Sequence, residues 1–128
     1  MLATYEGGCH CGQVRFRVQG DLDRVSVCNC SICTMKGIIH MEVSRERFEL
    51  LRGDDALSTY TFGTGVAKHY FCKTCGIKPF YVPRSNPDGI DVNVRCLDPA
   101  PASLEVRPFD GRDWEASAPA IAALSREG

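Results

Sequence analysis

The sequence predicts an all-β fold, a small zinc-stabilised β-sandwich of short antiparallel strands. Three observations carry that expectation. Apolar residues alternate with polar ones in several short runs, and glycine or proline punctuates the chain between them. No amphipathic stretch exceeds about three helical turns, the usual length of a globular helix. Seven of the eight cysteines fall in three tight clusters, and metal held by such clusters can pin short strands that bury little on their own.

The elements follow in chain order. Gly7-Gly8-Cys9-His10-Cys11-Gly12 opens with glycines that permit a tight, positive-φ backbone, so that thiols at i and i+2 can turn toward one metal. Val14, Phe16 and Val18 alternate with Arg15 and Arg17, the pattern of a half-buried strand, and Gly20-Asp21 ends it in a turn. Leu22 to Val27 leads to Cys28, Cys30 and Cys33, which this pattern places on a strand end and the loop after it. Strands are expected at 38–43 and 48–51. A hairpin is expected from 57–62 through Gly63-Thr64-Gly65 to 67–71, delivering Cys72 into the turn Cys72-Lys73-Thr74-Cys75-Gly76. Pro79-Phe80-Tyr81-Val82, flanked by prolines, reads as an edge strand or an extended loop. Ser85 to Gly89 is a turn. Ile90, Val92, Val94 and Cys96 then share one parity, with Asp91, Asn93 and Arg95 on the other. Residues 104–109 form the final strand candidate. In the alanine-rich tail after Trp114, Pro119 is suited to start a short helix, with a frayed end as the alternative.

The cysteines carry the chemistry. Cys72 and Cys75 have zinc-knuckle spacing, and joined by Cys9 and Cys11 they make the four ligands of a closed, structural zinc site. Cys28, Cys30 and Cys33 make only three. If they bind a second zinc, its fourth position is open to water or to a substrate thiol, which zinc would hold as the thiolate at neutral pH. Closure of that site by Cys96 or a histidine is the competing arrangement. Cys96 shares the apolar parity of Ile90, Val92 and Val94, which favours a small buried hydrophobe. His10, His40 and His69 each read as solvated or hydrogen-bonded structural histidines, and Trp114 as a packing residue.

Composition bounds the rest. The 128 residues fit one zinc-binding domain, 1–128, and a hydrophobic content of 44% with mean hydropathy −0.16 disfavours both disorder and a membrane span. Fifteen basic against sixteen acidic residues give a net charge of −1, without the basic footprint of a nucleic-acid binder. No secretory leader is visible, so a cytoplasmic location with reduced thiols is expected, and metal is favoured over disulfides. No phosphate loop, dinucleotide fingerprint or Ser-His-Asp order is present.

The pattern Gly-Gly-Cys9-His-Cys11-Gly-x-Val-x-Phe, Cys28-Asn-Cys30-Ser-x-Cys33 and Phe71-Cys72-x-x-Cys75-Gly76 resembles the glutathione-dependent formaldehyde-activating enzyme family, which includes centromere protein V. The resemblance spans about residues 4–114, leaving 115–128 as a peripheral tail. It implies a β-tent type of zinc fold, two zinc ions per chain and a carbon–sulfur lyase that adds formaldehyde reversibly to glutathione. By motif position it implies that Cys9, Cys11, Cys72 and Cys75 hold structural zinc, and that Cys28, Cys30 and Cys33 hold catalytic zinc. The implied partner is a small thiol such as glutathione, and neither nucleic acid nor membrane. Two other classes stay open: a non-enzymatic zinc module that binds a thiol ligand or a protein, and a redox or zinc sensor built on the three-thiol cluster.

Overall fold

The computed structural model describes residues 2–101, 104, 106–122 and 125. Among these residues, ten strands fall into two sheets, an all-β arrangement with a few short helices. The strands are β1 (Ala3–Gly8), β2 (Arg15–Gly20), β3 (Val25–Cys28), β4 (His40–Ser44), β5 (Phe48–Arg52), β6 (Leu57–Tyr60), β7 (Lys68–Cys72), β8 (Phe80–Val82), β9 (Gly89–Asn93) and β10 (Val106–Phe109). The helices are α1 (Ser31–Lys36), α2 (Trp114–Ser117) and α3 (Pro119–Ala122). A three-stranded sheet has the order β1-β2-β5, and a seven-stranded sheet has the order β10-β3-β4-β9-β8-β7-β6. Among the described residues, no helix is long and apolar enough to cross a membrane.

Strand parity divides the large sheet into two faces with different jobs. Met41 and Val43 of β4, Phe80 and Val82 of β8, and Ile90 and Val92 of β9 point into the core. There they meet Val14, Phe16 and Val18, the alternating residues of the small sheet, all fully buried. Phe48 bridges the sheets, its ring centroid 5.5 Å from that of Phe16 and 4.6 Å from that of Phe80. Each such side chain contributes about 1.5–3 kcal/mol by leaving water. The opposite parity carries His40, Glu42, Tyr81 and Asp91.

Several expectations need correcting. Ala3–Gly8 is a strand; its buried end packs so tightly that a Cβ on Gly7 would stand 2.2 Å from the Cys96 carbonyl oxygen. In the Gly7 to Gly12 stretch, only Gly12 takes a positive φ, at 81°, where the chain turns between the Cys9 carbonyl and the Gly12 amide. The strands are not all antiparallel, because β10 runs parallel to β3. Phe80–Val82 is no edge strand but lies between β7 and β9. Pro79 and Pro83 sit just outside its three residues, so neither removes a donor from the ladder. The segment after Cys30 is not loop but helix α1, ended by Gly37 at φ 65°. Strand parity does not reach Cys96, because Val94–Cys96 form a 3-10 turn, capped by the Asn93 side chain. Pro119 does open a short helix, α3; residues 123, 124 and 126–128 of the tail lie outside the described residues.

Candidate active site

The cysteines gather as two clusters of thiols, each with its sulfurs within 4.8 Å of one another: Cys9, Cys11, Cys72 and Cys75, and separately Cys28, Cys30 and Cys33. Both could hold a metal ion. In the first, Cys9 Sγ and Cys72 Sγ each lie 3.6 Å from or within reach of the Cys11 sulfur that bridges them, the two measured separations being Cys9 to Cys11 and Cys11 to Cys72. Tetrahedral sulfurs at a Zn–S distance of about 2.3 Å stand roughly 3.8 Å apart, so the donor set fits zinc. The site is assembled from the turn after β1 and the knuckle after β7. Gly76, at φ 78°, closes the knuckle by donating its amide to the Cys72 carbonyl. The amide of Val14 donates to Cys9 Sγ at 3.3 Å. Backbone amides of Cys75 and Thr74 draw the Cys72 thiol below its ordinary range.

The second cluster is built by a strand end and a helix start. Cys28 closes β3, Cys30 is the N-cap of α1, and Cys33 lies buried within α1. The amide of Cys30 reaches back to Cys28 Sγ at 3.4 Å. Asn29, between the two thiols, ties their turn to the C-terminal segment. Its amide donates to the Phe109 carbonyl, its Nδ2 to Asp110 Oδ1 at 3.0 Å, and its Oδ1 accepts from the Arg112 amide. Hydrogen bonds from Cys28 and Cys33 draw Cys30 down to about 2. The same bonds push Cys33 up, and push Cys28 up to about 11. Cys96 stands elsewhere: burial raises its thiol to about 11, with the charges of Cys9 and Cys75 adding. Neither Cys96 nor a histidine joins the three-thiol cluster.

The three thiols line a cleft of about 550 Å³, and the four-thiol cluster does not. The cleft's floor is the second face of the large sheet. Glu42, Asp91, Tyr81 and His69 stand directly opposite one another across β4, β9, β8 and β7, and His40 lies two residues before Glu42. His40 Nδ1 lies 2.8 Å from Asp91 Oδ2 and 3.1 Å from Tyr81 Oη. The buried Lys78 Nζ contacts His69 Nδ1 and sits 3.8 Å from the centroid of the Tyr81 ring. Phe62, Phe109, Trp114 and Ile121 supply apolar walls, and Arg84, 3.8 Å over Trp114, and Arg112 supply positive charge.

The model of the glutathione-dependent formaldehyde-activating enzyme family matches residues 4–110. The chain belongs to that family. It is also similar to a crystal structure of a Rhodobacter sphaeroides protein, with 36% identity and a TM-score of 0.75 over 80% of this chain and 98% of that one.

In this family member the thiols stand where their spacing put them, in the two expected groups. His10 is exposed and outside both clusters, whereas His40 and His69 are buried in the cleft floor. Trp114 lines the cleft instead of packing elsewhere. Glu42, Asp91, Tyr81 and Lys78 were not singled out by the sequence. Their only signal was the polar parity of strands such as Ile90 to Val94, a pattern that a one-sided sheet gives to solvent equally well.

Proposed function

We propose that this chain is a zinc-dependent carbon–sulfur lyase that makes or cleaves the adduct of a small thiol, glutathione in type, and a small aldehyde such as formaldehyde. One observation carries the reading: the cluster with three thiols faces a cleft, while the cluster with four does not. Cys9, Cys11, Cys72 and Cys75 would hold a structural zinc, and Cys28, Cys30 and Cys33 a catalytic one, in a single cytoplasmic zinc-binding domain. Zinc at the three-thiol site supplies a Lewis-acidic centre that favours the thiolate form of a bound thiol.

The chain's own residues do the rest. The turn at Asn29 fixes the thiols against the C-terminal segment. Phe62, Phe109 and Trp114 give the cleft apolar walls beside the thiols. Arg84 and Arg112 suit a thiol that carries carboxylates, as glutathione does. A thiolate held against so strong an electrophile as formaldehyde gains most from positioning.

The test is turnover of glutathione and formaldehyde, followed by exchange spectroscopy at equilibrium, in zinc-loaded protein and in Cys30→Ser. A wild-type rate no faster than the uncatalysed reaction, or equal rates in the two proteins, sinks the proposal. Two zinc ions per chain are expected, and one would leave the three thiols to redox chemistry instead.

A further inference from the structure

Four buried side-chain atoms have no hydrogen-bond partner among the described residues, and two of them are His40 Nε2 and His69 Nε2. Both residues line the cleft, and both are more than nine-tenths buried. A buried polar atom left without a partner costs about 1–3 kcal/mol, so a pair of them in one cleft points to a ligand that satisfies both.

The partners behind each ring decide what it offers in front. Ionised Asp91 can only accept, so His40 Nδ1 carries the proton that bridges them at 2.8 Å, and His40 Nε2 presents a lone pair. Lys78 is placed the other way round. Burial draws its pKa down to about 8, which still leaves an ammonium at neutral pH; an ammonium can only donate, so His69 Nδ1 accepts and His69 Nε2 carries the hydrogen. The Tyr81 ring stands between the two, its centroid 5.8 Å from that of His40 and 5.1 Å from that of His69. Both imidazoles line the cleft that Cys28, Cys30 and Cys33 also line, so both stand beside the three-thiol cluster. One buried acceptor and one buried donor, neither with a partner among the described residues, belong to side chains that line one cleft.

We propose that His40 Nε2 and His69 Nε2–H are the proton acceptor and the oxygen-binding donor of the adduct chemistry, a pair of catalytic residues set in opposite tautomers by Asp91 and Lys78. The inference rests on the lyase reading above. In the direction of synthesis, the thiol proton passes to His40 Nε2. The sulfur lone pair forms the C–S bond as the C=O π pair moves onto oxygen. That oxygen, hydrogen-bonded by His69 Nε2–H, takes the proton back from His40. Thiol and aldehyde become the hydroxymethyl thioether with no atom or electron left over, and cleavage runs the same steps in reverse. His69 suits the donor role because burial, and next the Lys78 charge, lower its pKa to about 4, so it stays a neutral imidazole at working pH.

Two measurements test the pair. Histidine ¹⁵N spectra of the metal-loaded wild-type protein at neutral pH should show His40 with its hydrogen on Nδ1 and His69 with its hydrogen on Nε2. The same tautomer on both rings, or the reverse assignment, overturns the inference whatever the activity. In the glutathione and formaldehyde exchange assay, His40→Gln should lower kcat about 100-fold or more, and His69→Gln by about 100-fold, with zinc content unchanged and KM for glutathione little altered. Wild-type rates in both variants, with Cys30→Ser inactive, overturn the histidine pair and leave the lyase reading standing. A wild-type protein with no turnover removes both.

Discussion

His40 Nδ1 lies 2.8 Å from Asp91 Oδ2, and both side chains are almost wholly buried. Across the ladder the same aspartate stands opposite Glu42 on one side and Tyr81 on the other. One buried carboxylate therefore meets three polar neighbours, and its charge is shared unequally among them. It accepts from the imidazole, while Glu42 cannot ionise beside it. Burial first, and the Asp91 charge second, hold the Glu42 carboxyl well above its ordinary 4.5.

That proton gives the first prediction. Above pH 4.5, the group's ordinary value, the unfolded chain releases it while the native state keeps it. Stability then falls as pH rises toward the raised native pKa. Glu42→Gln keeps the shape of the protonated side chain and removes this slope. The variant should melt higher than wild type at neutral and mildly alkaline pH, with the gap closing toward about pH 4. Melting temperatures across that range decide it, and parallel curves would contradict the assignment of the proton to Glu42.

His69 acts on the acid side. Its pKa is lowered to about 4 by burial and then by Lys78. Between the ordinary value of 6.5 and about 4, the unfolded chain takes up a proton that the native state refuses. Stability is lost as pH falls through that window, by up to about 3 kcal/mol at one pKa unit per 1.36 kcal/mol. His69→Gln should flatten this part of the profile without changing its slope above pH 6.5. Urea unfolding at a series of pH values measures both limbs.

The two thiol clusters should differ in what their metal holds together. Cys9, Cys72 and the half-buried Cys75 belong to or pack against the core, and they join the turn after β1 to the end of β7, some sixty residues apart in sequence by the 61-residue separation of Cys11 and Cys72. The other cluster spans only Cys28 to Cys33 at one end of the cleft. A structural metal bound at the first would contribute to folding on the order of 10 kcal/mol. Cys72→Ser should therefore abolish the cooperative thermal transition, as should a strong chelator, whereas Cys30→Ser should keep it. Circular dichroism melts with zinc analysis settle the comparison, and equal losses in the two variants would refute the division of labour.

What the sequence made legible was local. Alternation placed Val14, Phe16 and Val18 in the core because a strand's period of two is a property of the backbone itself. Spacing paired Cys72 with Cys75 because a knuckle is a local turn. The second face of the large sheet was hidden for a long-range reason. Asp91 and Asn93 alternate as solvent-facing residues do, and only the arrival of Trp114 and Ile121 from the C-terminal segment, with Phe62 from the β6–β7 loop, turns that face into a cleft. Cys96 packs against the core and outside the three-thiol cluster, as its apolar parity suggested, but not as part of a strand. Asn93 caps a 3-10 turn by accepting from the Arg95 amide, and the strand period stops there.

Asn86 holds that C-terminal segment in place. Its side chain is fully buried, and its Nδ2 donates toward the carbonyls of Ile121 and Ala122, at 3.1 and 2.8 Å, and toward Ser125 Oγ at 2.9 Å. Ser125 Oγ in turn donates to Asp88 Oδ1 at 2.9 Å, so the turn between β8 and β9 and the chain end form one network. Asn86→Ala leaves these acceptors unpaired in a buried setting, at about 1–3 kcal/mol for the group removed. The core strands do not depend on the network, so the loss should be local: faster proteolysis around 114–125 with little change in the main melting transition. Because Trp114 and Ile121 wall the cleft while the thiols and histidines sit on other elements, the glutathione KM should rise and kcat should hold. A fall in kcat at constant KM would mean that this segment acts on the chemistry and not on the binding of the thiol.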